Sequence, residues 1–145
     1  MPDRRKIRII SVLMAEDLRL EAGGSQTVVG VIPGRVVVKT LPHTFLKLFY
    51  RIEFESETTF SGTCAFSIRT PSRVMILEGS SKANIRHDVR NIFAVGGGPV
   101  QFSESGRYAI RFNVDQADPE HEREVGYFDV VAATQAPTGG DARSS

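Results

Sequence analysis

Apolar and polar residues alternate with a period of two along most of the chain, and that period places strands. The sharpest segment is 45–55. Leu46, Leu48, Tyr50, Ile52 and Phe54 share one face, while Lys47, Arg51, Glu53 and Glu55 share the other. Phe45 and Phe49 stand on that second, otherwise polar face. Segment 60–69 alternates as cleanly, with Phe60, Gly62, Cys64, Phe66 and Ile68 opposed to Ser61, Thr63, Ser67 and Arg69. In segment 107–115, Tyr108, Ile110, Phe112 and Val114 point inward and Arg107, Arg111 and Asn113 outward. A last strand is expected over 124–132.

The run 6–16 is apolar on both faces in its middle, as a strand covered on both sides would be. The alternation continues through Leu18 and Leu20 and breaks at Ala22-Gly23-Gly24-Ser25, where paired glycines accept a tight turn. A second strand over 26–32 then ends at Pro33-Gly34, so the pair reads as a hairpin. Thr70-Pro71-Ser72 is a turn, followed by a short return strand over 74–77. Residues 82–94 admit two readings. Ile85, Val89, Ile92 and Phe93 form a helical stripe with Lys82, Arg86 and Arg90 on another face, but 89–95 also reads as a strand. The β context favours the strand, with a helical turn near 83–88 as the alternative. Gly96-Gly97-Gly98-Pro99 breaks the chain, and 100–102 resumes it. The total is about seven to nine short strands, which points to an all-β, antiparallel immunoglobulin-like β-sandwich.

Composition supports one ordinary globular domain: 145 residues, 41% hydrophobic and 24% charged. The domain is expected over 1–133, and the small, polar, Gly-containing segment 134–145 reads as a disordered tail. A formal charge of +1 supplies no global drive towards nucleic acid or an anionic membrane, and neither partner is expected. Arg4, Arg5 and Lys6 before an apolar run mimic a signal peptide, but Arg8 interrupts the pattern and Glu16-Asp17 ends it at once. Cys64 is the one cysteine, so no intrachain disulfide forms, which fits a reducing, cytoplasmic setting.

Glu104-Ser105-Gly106-Arg107-Tyr108 resembles the tyrosine corner of immunoglobulin-like sandwiches, which makes Gly106 and Tyr108 structural. A wider resemblance rests on Ser11 to Asp17, Glu21-Ala22-Gly23-Gly24, Val28 to Pro33, and Phe102-x-x-x-Gly106-x-Tyr108. These segments are similar to those of a family of small bacterial β-sandwich proteins of unknown function. The resemblance implies a bacterial or phage origin and no activity.

Candidate chemistry is thin. Cys64 sits on a core face, where a thiol is inert. His43, His87 and His121 lie in separate connections, without a second ligand at metal spacing. Gly96-Gly97-Gly98 lacks the Lys-Ser/Thr of a phosphate loop. The acidic loop 115–124 offers Asp115, Asp118 and Glu120 as weak calcium ligands, without a second acidic loop to complete a shell. Phe45 and Phe49 together could mark an apolar patch and an interface. The expectation is therefore a non-catalytic module without a cofactor, engaging a protein partner or a second copy through Phe45 and Phe49 or an open sheet edge. The alternative is a ligand-binding module that holds a carbohydrate or calcium through the 115–124 loop.

Overall fold

A computed structural model describes residues 7–32, 34–114 and 123–133, and of Arg123 its backbone only. Eleven strands follow in order: β1 (Ile7–Leu20), β2 (Gln26–Ile32), β3 (Arg35–Val38), β4 (His43–Phe45), β5 (Leu48–Ser56), β6 (Phe60–Arg69), β7 (Met75–Ile85), β8 (Asn91–Gly97), β9 (Val100–Phe102), β10 (Gly106–Val114) and β11 (Arg123–Ala132). They form a four-stranded sheet, β2-β1-β5-β8, a five-stranded sheet, β3-β11-β10-β6-β7, and a two-stranded ribbon of β4 and β9. The fold is an all-β immunoglobulin-like sandwich.

The alternation read from the sequence explains why the two large sheets meet. Inward positions of β5 (Leu48, Tyr50, Ile52, Phe54) and of β10 (Tyr108, Ile110, Phe112, Val114) are buried almost completely. Rings from both sheets interlock: Tyr50 lies 4.9 Å from Phe66, and Phe54 and Phe93 each lie 5.4 Å from Phe112. Burying so many aromatic side chains supplies the main stabilisation of the domain. Phe102, Tyr108 and Phe128 close one end of the core, at ring separations of 5.1 to 5.7 Å.

Four features differ from the sequence reading. First, β3 pairs in parallel with β11, so the sandwich is not wholly antiparallel, and the strand count exceeds seven to nine. Second, 45–55 is two strands. The chain leaves the β4–β9 ribbon at Phe45 and joins the four-stranded sheet at Leu48. Leu46, expected inward, is 85% exposed. Third, the return strand 74–77 is only the start of β7, which continues to Ile85. Fourth, the helical turn near 83–88 does not form. Arg86 to Arg90 make the connection between β7 and β8, where the Asn91 side chain accepts from Arg86 N at 3.0 Å and donates to Arg86 O at 2.9 Å.

The doubly apolar β1 also has a physical account. Its first half pairs with β5 and its second half with β2, so the β1–β2 hairpin runs past β5. In a flat sheet Gln26 and Arg51 would stand about 23 Å apart along the strands. Arg51 Nε nevertheless donates to Gln26 Oε1 at 2.9 Å. The hairpin therefore curls over the outer face of the sheet, where Ala15 is only 2% exposed.

Candidate functional site

Most expected site residues fall into structural roles. Phe45 ends β4, with its ring edge-on to Phe102 at 5.5 Å and to His43 at 4.8 Å. Phe49 lies in β5 opposite Gly96 and Ala15. A Cβ added at Gly96 would come within 2.0 Å of the Phe49 ring, so that ring covers the glycine. Both phenylalanines are half-buried and belong to different sheets.

Tyr108 is fully buried; its hydroxyl donates to Glu104 O at 2.8 Å and accepts from Glu104 N at 3.2 Å. Gly106 opens β10 with φ 123°, a conformation suited to glycine. Asp115, Asp118 and Glu120 lie outside the described residues, as does the tail 134–145. Among the described residues no group of three or more His, Cys, Asp or Glu could hold a metal ion. His87 is tied to the Thr59 hydroxyl at 2.8 Å, and Cys64 is 1% exposed.

The feature that no motif announced is the open side of the sandwich between β7 and β8. β7 is the edge of the five-stranded sheet and β8 the edge of the four-stranded sheet. Register with β6 puts Gly79, Ser81 and Ala83 of β7 on the face turned to the other sheet, beside Phe66, Cys64 and Gly62. These are three small residues where other strands carry Phe, Tyr or Ile. Val95 Cγ2 fills the place of the missing Gly79 side chain, since a Cβ there would lie 2.7 Å from it. Beyond Gly79 the sheets are not closed. Ser81 is exposed although it points inward, and Ser80 and Lys82 beside it are exposed too.

The gap is a cleft of about 410 Å³, lined by buried Phe54, Cys64, Ile85 and Phe93 and by exposed Lys82, Arg86 and Arg90. Two of these cations are already neutralised. Arg86 holds Asp88 through two hydrogen bonds of 3.1 and 2.9 Å, and Arg90 reaches Glu53 at 3.1 Å. The Asp88 and Glu53 carboxyls sit below their ordinary pKa, chiefly through those arginine hydrogen bonds. Val89 and Ile92 add exposed apolar surface to the cleft, and Val74 and Met75 are exposed at the far end of β7.

The four sheet edges are not equivalent. β3 is four residues long. β2 carries Gly30 at φ 68° in its middle, and β8 runs into Gly96, Gly97 and Gly98. Short length and backbone irregularity are the usual means of blunting an edge. β7 has eleven residues, no proline, and a register irregularity only near Met75.

No family model matches the chain, and no curated protein matches it. Solved structures give distant likenesses. One is the C-terminal domain of wzt, at 12% identity and TM-score 0.49, covering 86% of this chain and 66%, just under two thirds, of that one. Another is the CARDB domain of the PF1109 protein from Pyrococcus furiosus, in complex with di-metal ions, at 12% identity and TM-score 0.40, covering 90% of both chains.

Proposed function

We propose that this protein is a non-catalytic protein–protein binding or assembly module, and that β7 with the adjoining cleft is its docking edge. One observation carries the reading: an eleven-residue strand that has no hydrogen-bonded neighbour on one side among the described residues, beside an unfilled gap between the sheets. An added extended segment would satisfy the outward N–H and C=O groups of β7, and side chains on one face of that segment would fill the cleft. The small inward residues Ser81 and Ala83 leave room for them. Phe45 and Phe49 lose their place in this reading, because both are engaged in local cover. The 115–124 loop alternative rests almost wholly on residues outside the described set. The resemblance to small bacterial β-sandwich proteins of unknown function adds no activity to either reading.

The test is selection of short random peptides on the immobilised protein, followed by amide hydrogen exchange with a selected peptide bound. Slowed exchange is expected at alternate amides of Met75–Ile85. Binders that leave β7 exchanging at its free rate, or a selection without binders, would count against the docking edge.

A further inference from the structure

Resting on β7 as the docking edge, we infer that the occupant of this edge is a second copy of the same strand, paired antiparallel about a two-fold axis at Ser80. The observation is a charge pattern. Glu78 and Lys82 lie two residues to either side of Ser80, on the outer face of the sheet and exposed. Four residues along one strand is about 13 Å, too far for them to pair with each other. Neither makes an ion pair among the described residues, as is also true of Arg35, Arg73, Glu21 and Glu57, but only Glu78 and Lys82 carry opposite charges on the outer face of this edge strand.

A two-fold axis at Ser80 sets Glu78 opposite Lys82 of the second copy and Lys82 opposite its Glu78. Ser80 meets Ser80, Gly79 meets Ser81, and Leu77 meets Ala83, so no bulky pair collides. The sequence also selects this register against its neighbours. Outer-facing residues must oppose outer-facing residues, so slips come in steps of two. A slip of two sets Glu78 or Lys82 opposite Ser80 and leaves the other charge without a partner. A slip of four sets Glu78 against Glu78 or Lys82 against Lys82, and like charges directly opposite destabilise a pair. Centred on Ser80, the symmetric stretch that carries both charges runs from Leu77 to Ala83. Such a contact is small, in the class of weak and transient interfaces. It would join the five-stranded sheets of two copies into one continuous sheet.

Sedimentation equilibrium across a wide range of protein concentration reads the association. Wild type is expected to pass from monomer to dimer. Glu78→Lys and Lys82→Glu each turn two attractions into two repulsions, and each is expected to weaken the dimer about tenfold or more. An equimolar mixture of those two variants restores opposite charges at both contacts and is expected to form a heterodimer at least as readily as wild type dimerises. Added salt should weaken that mixed species. Both substitutions are at exposed positions, and unchanged circular dichroism shows that each variant is folded. A wild type that stays monomeric at the highest concentration reached overturns the inference, as does a dimer indifferent to either substitution or a mixture without a heterodimer. A peptide that still slows β7 exchange in a strictly monomeric protein would leave the docking edge standing and remove only the second copy.

Discussion

Tyr50 and Tyr108 are both fully buried, yet their hydroxyls meet opposite circumstances. Tyr108 exchanges two hydrogen bonds with the Glu104 backbone. Tyr50 Oη has no partner among the described residues, and burial pushes its pKa upward. Removing a satisfied hydroxyl costs stability, while removing an orphaned one relieves a desolvation penalty. Tyr108→Phe should therefore destabilise by about 1 kcal/mol, and Tyr50→Phe should stabilise by about 1 kcal/mol. Urea denaturation checks the pair, and equal losses in both would refute the distinction. The Gly106–Tyr108 spacing was readable in the sequence because the motif is local. The fate of the Tyr50 hydroxyl was not, since it depends on what β6 and β11 bring to the same spot.

At the scale of elements, the break at Leu46-Lys47 shows where local pattern loses to packing. Perfect alternation over 45–55 predicts one strand, but the chain must cross there from the ribbon to the four-stranded sheet. The crossing runs against Gly98: a Cβ there would lie 2.0 Å from Leu46 O and 2.8 Å from Lys47 Cα. Backbone cannot yield as a side chain can. Gly98→Ala is expected to destabilise by about 2–4 kcal/mol, and Gly96→Ala by less, because only the Phe49 ring need swing aside. Thermal unfolding of the two variants decides, and a larger loss at Gly96 would contradict this account. β7 is the reverse case. Glu78-Gly79-Ser80-Ser81 resembles a loop, so the pattern stops at Leu77. The signal that could have found the strand is Leu77, Gly79, Ser81, Ala83 and Ile85 at period two, with small residues standing where large ones are usual.

At the scale of the molecule, acid should loosen the sandwich. Asp17, Glu53, Asp88 and Glu104 are all held below their ordinary pKa values, chiefly by hydrogen bonds from Arg19, Arg90, Arg86 and Ser72 respectively. A carboxyl with a depressed folded-state pKa adds stability above its unfolded value, and that stability is lost as pH falls through the folded one. The loss should begin near the ordinary values of 3.8 and 4.5 and deepen below them. At the alkaline end the sign reverses. The buried Tyr50 phenol ionises less readily than in the unfolded chain, so stability is unaffected below 10.0 and falls as pH rises beyond it. Melting temperature against pH tests both limbs; a curve flat between pH 3 and pH 5 would contradict the acid limb.

By itself the sequence determined the class of the fold and most of its core. Period-two alternation assigns each side chain to a face, and that rule needs no knowledge of neighbouring strands. The inward residues of β5, β6 and β10 follow from it directly. Strand order, the parallel β3, the divided 45–55 segment and the open side between β7 and β8 were decided only by the tertiary structure. Each depends on which strand lies beside which, and residues far apart in sequence settle that: Leu46 against Gly98, Val95 against Gly79. Where β7 forms the edge of its sheet, small residues, and a Glu78 and Lys82 without an ion pair among the described residues, acquire a meaning that their local pattern does not carry.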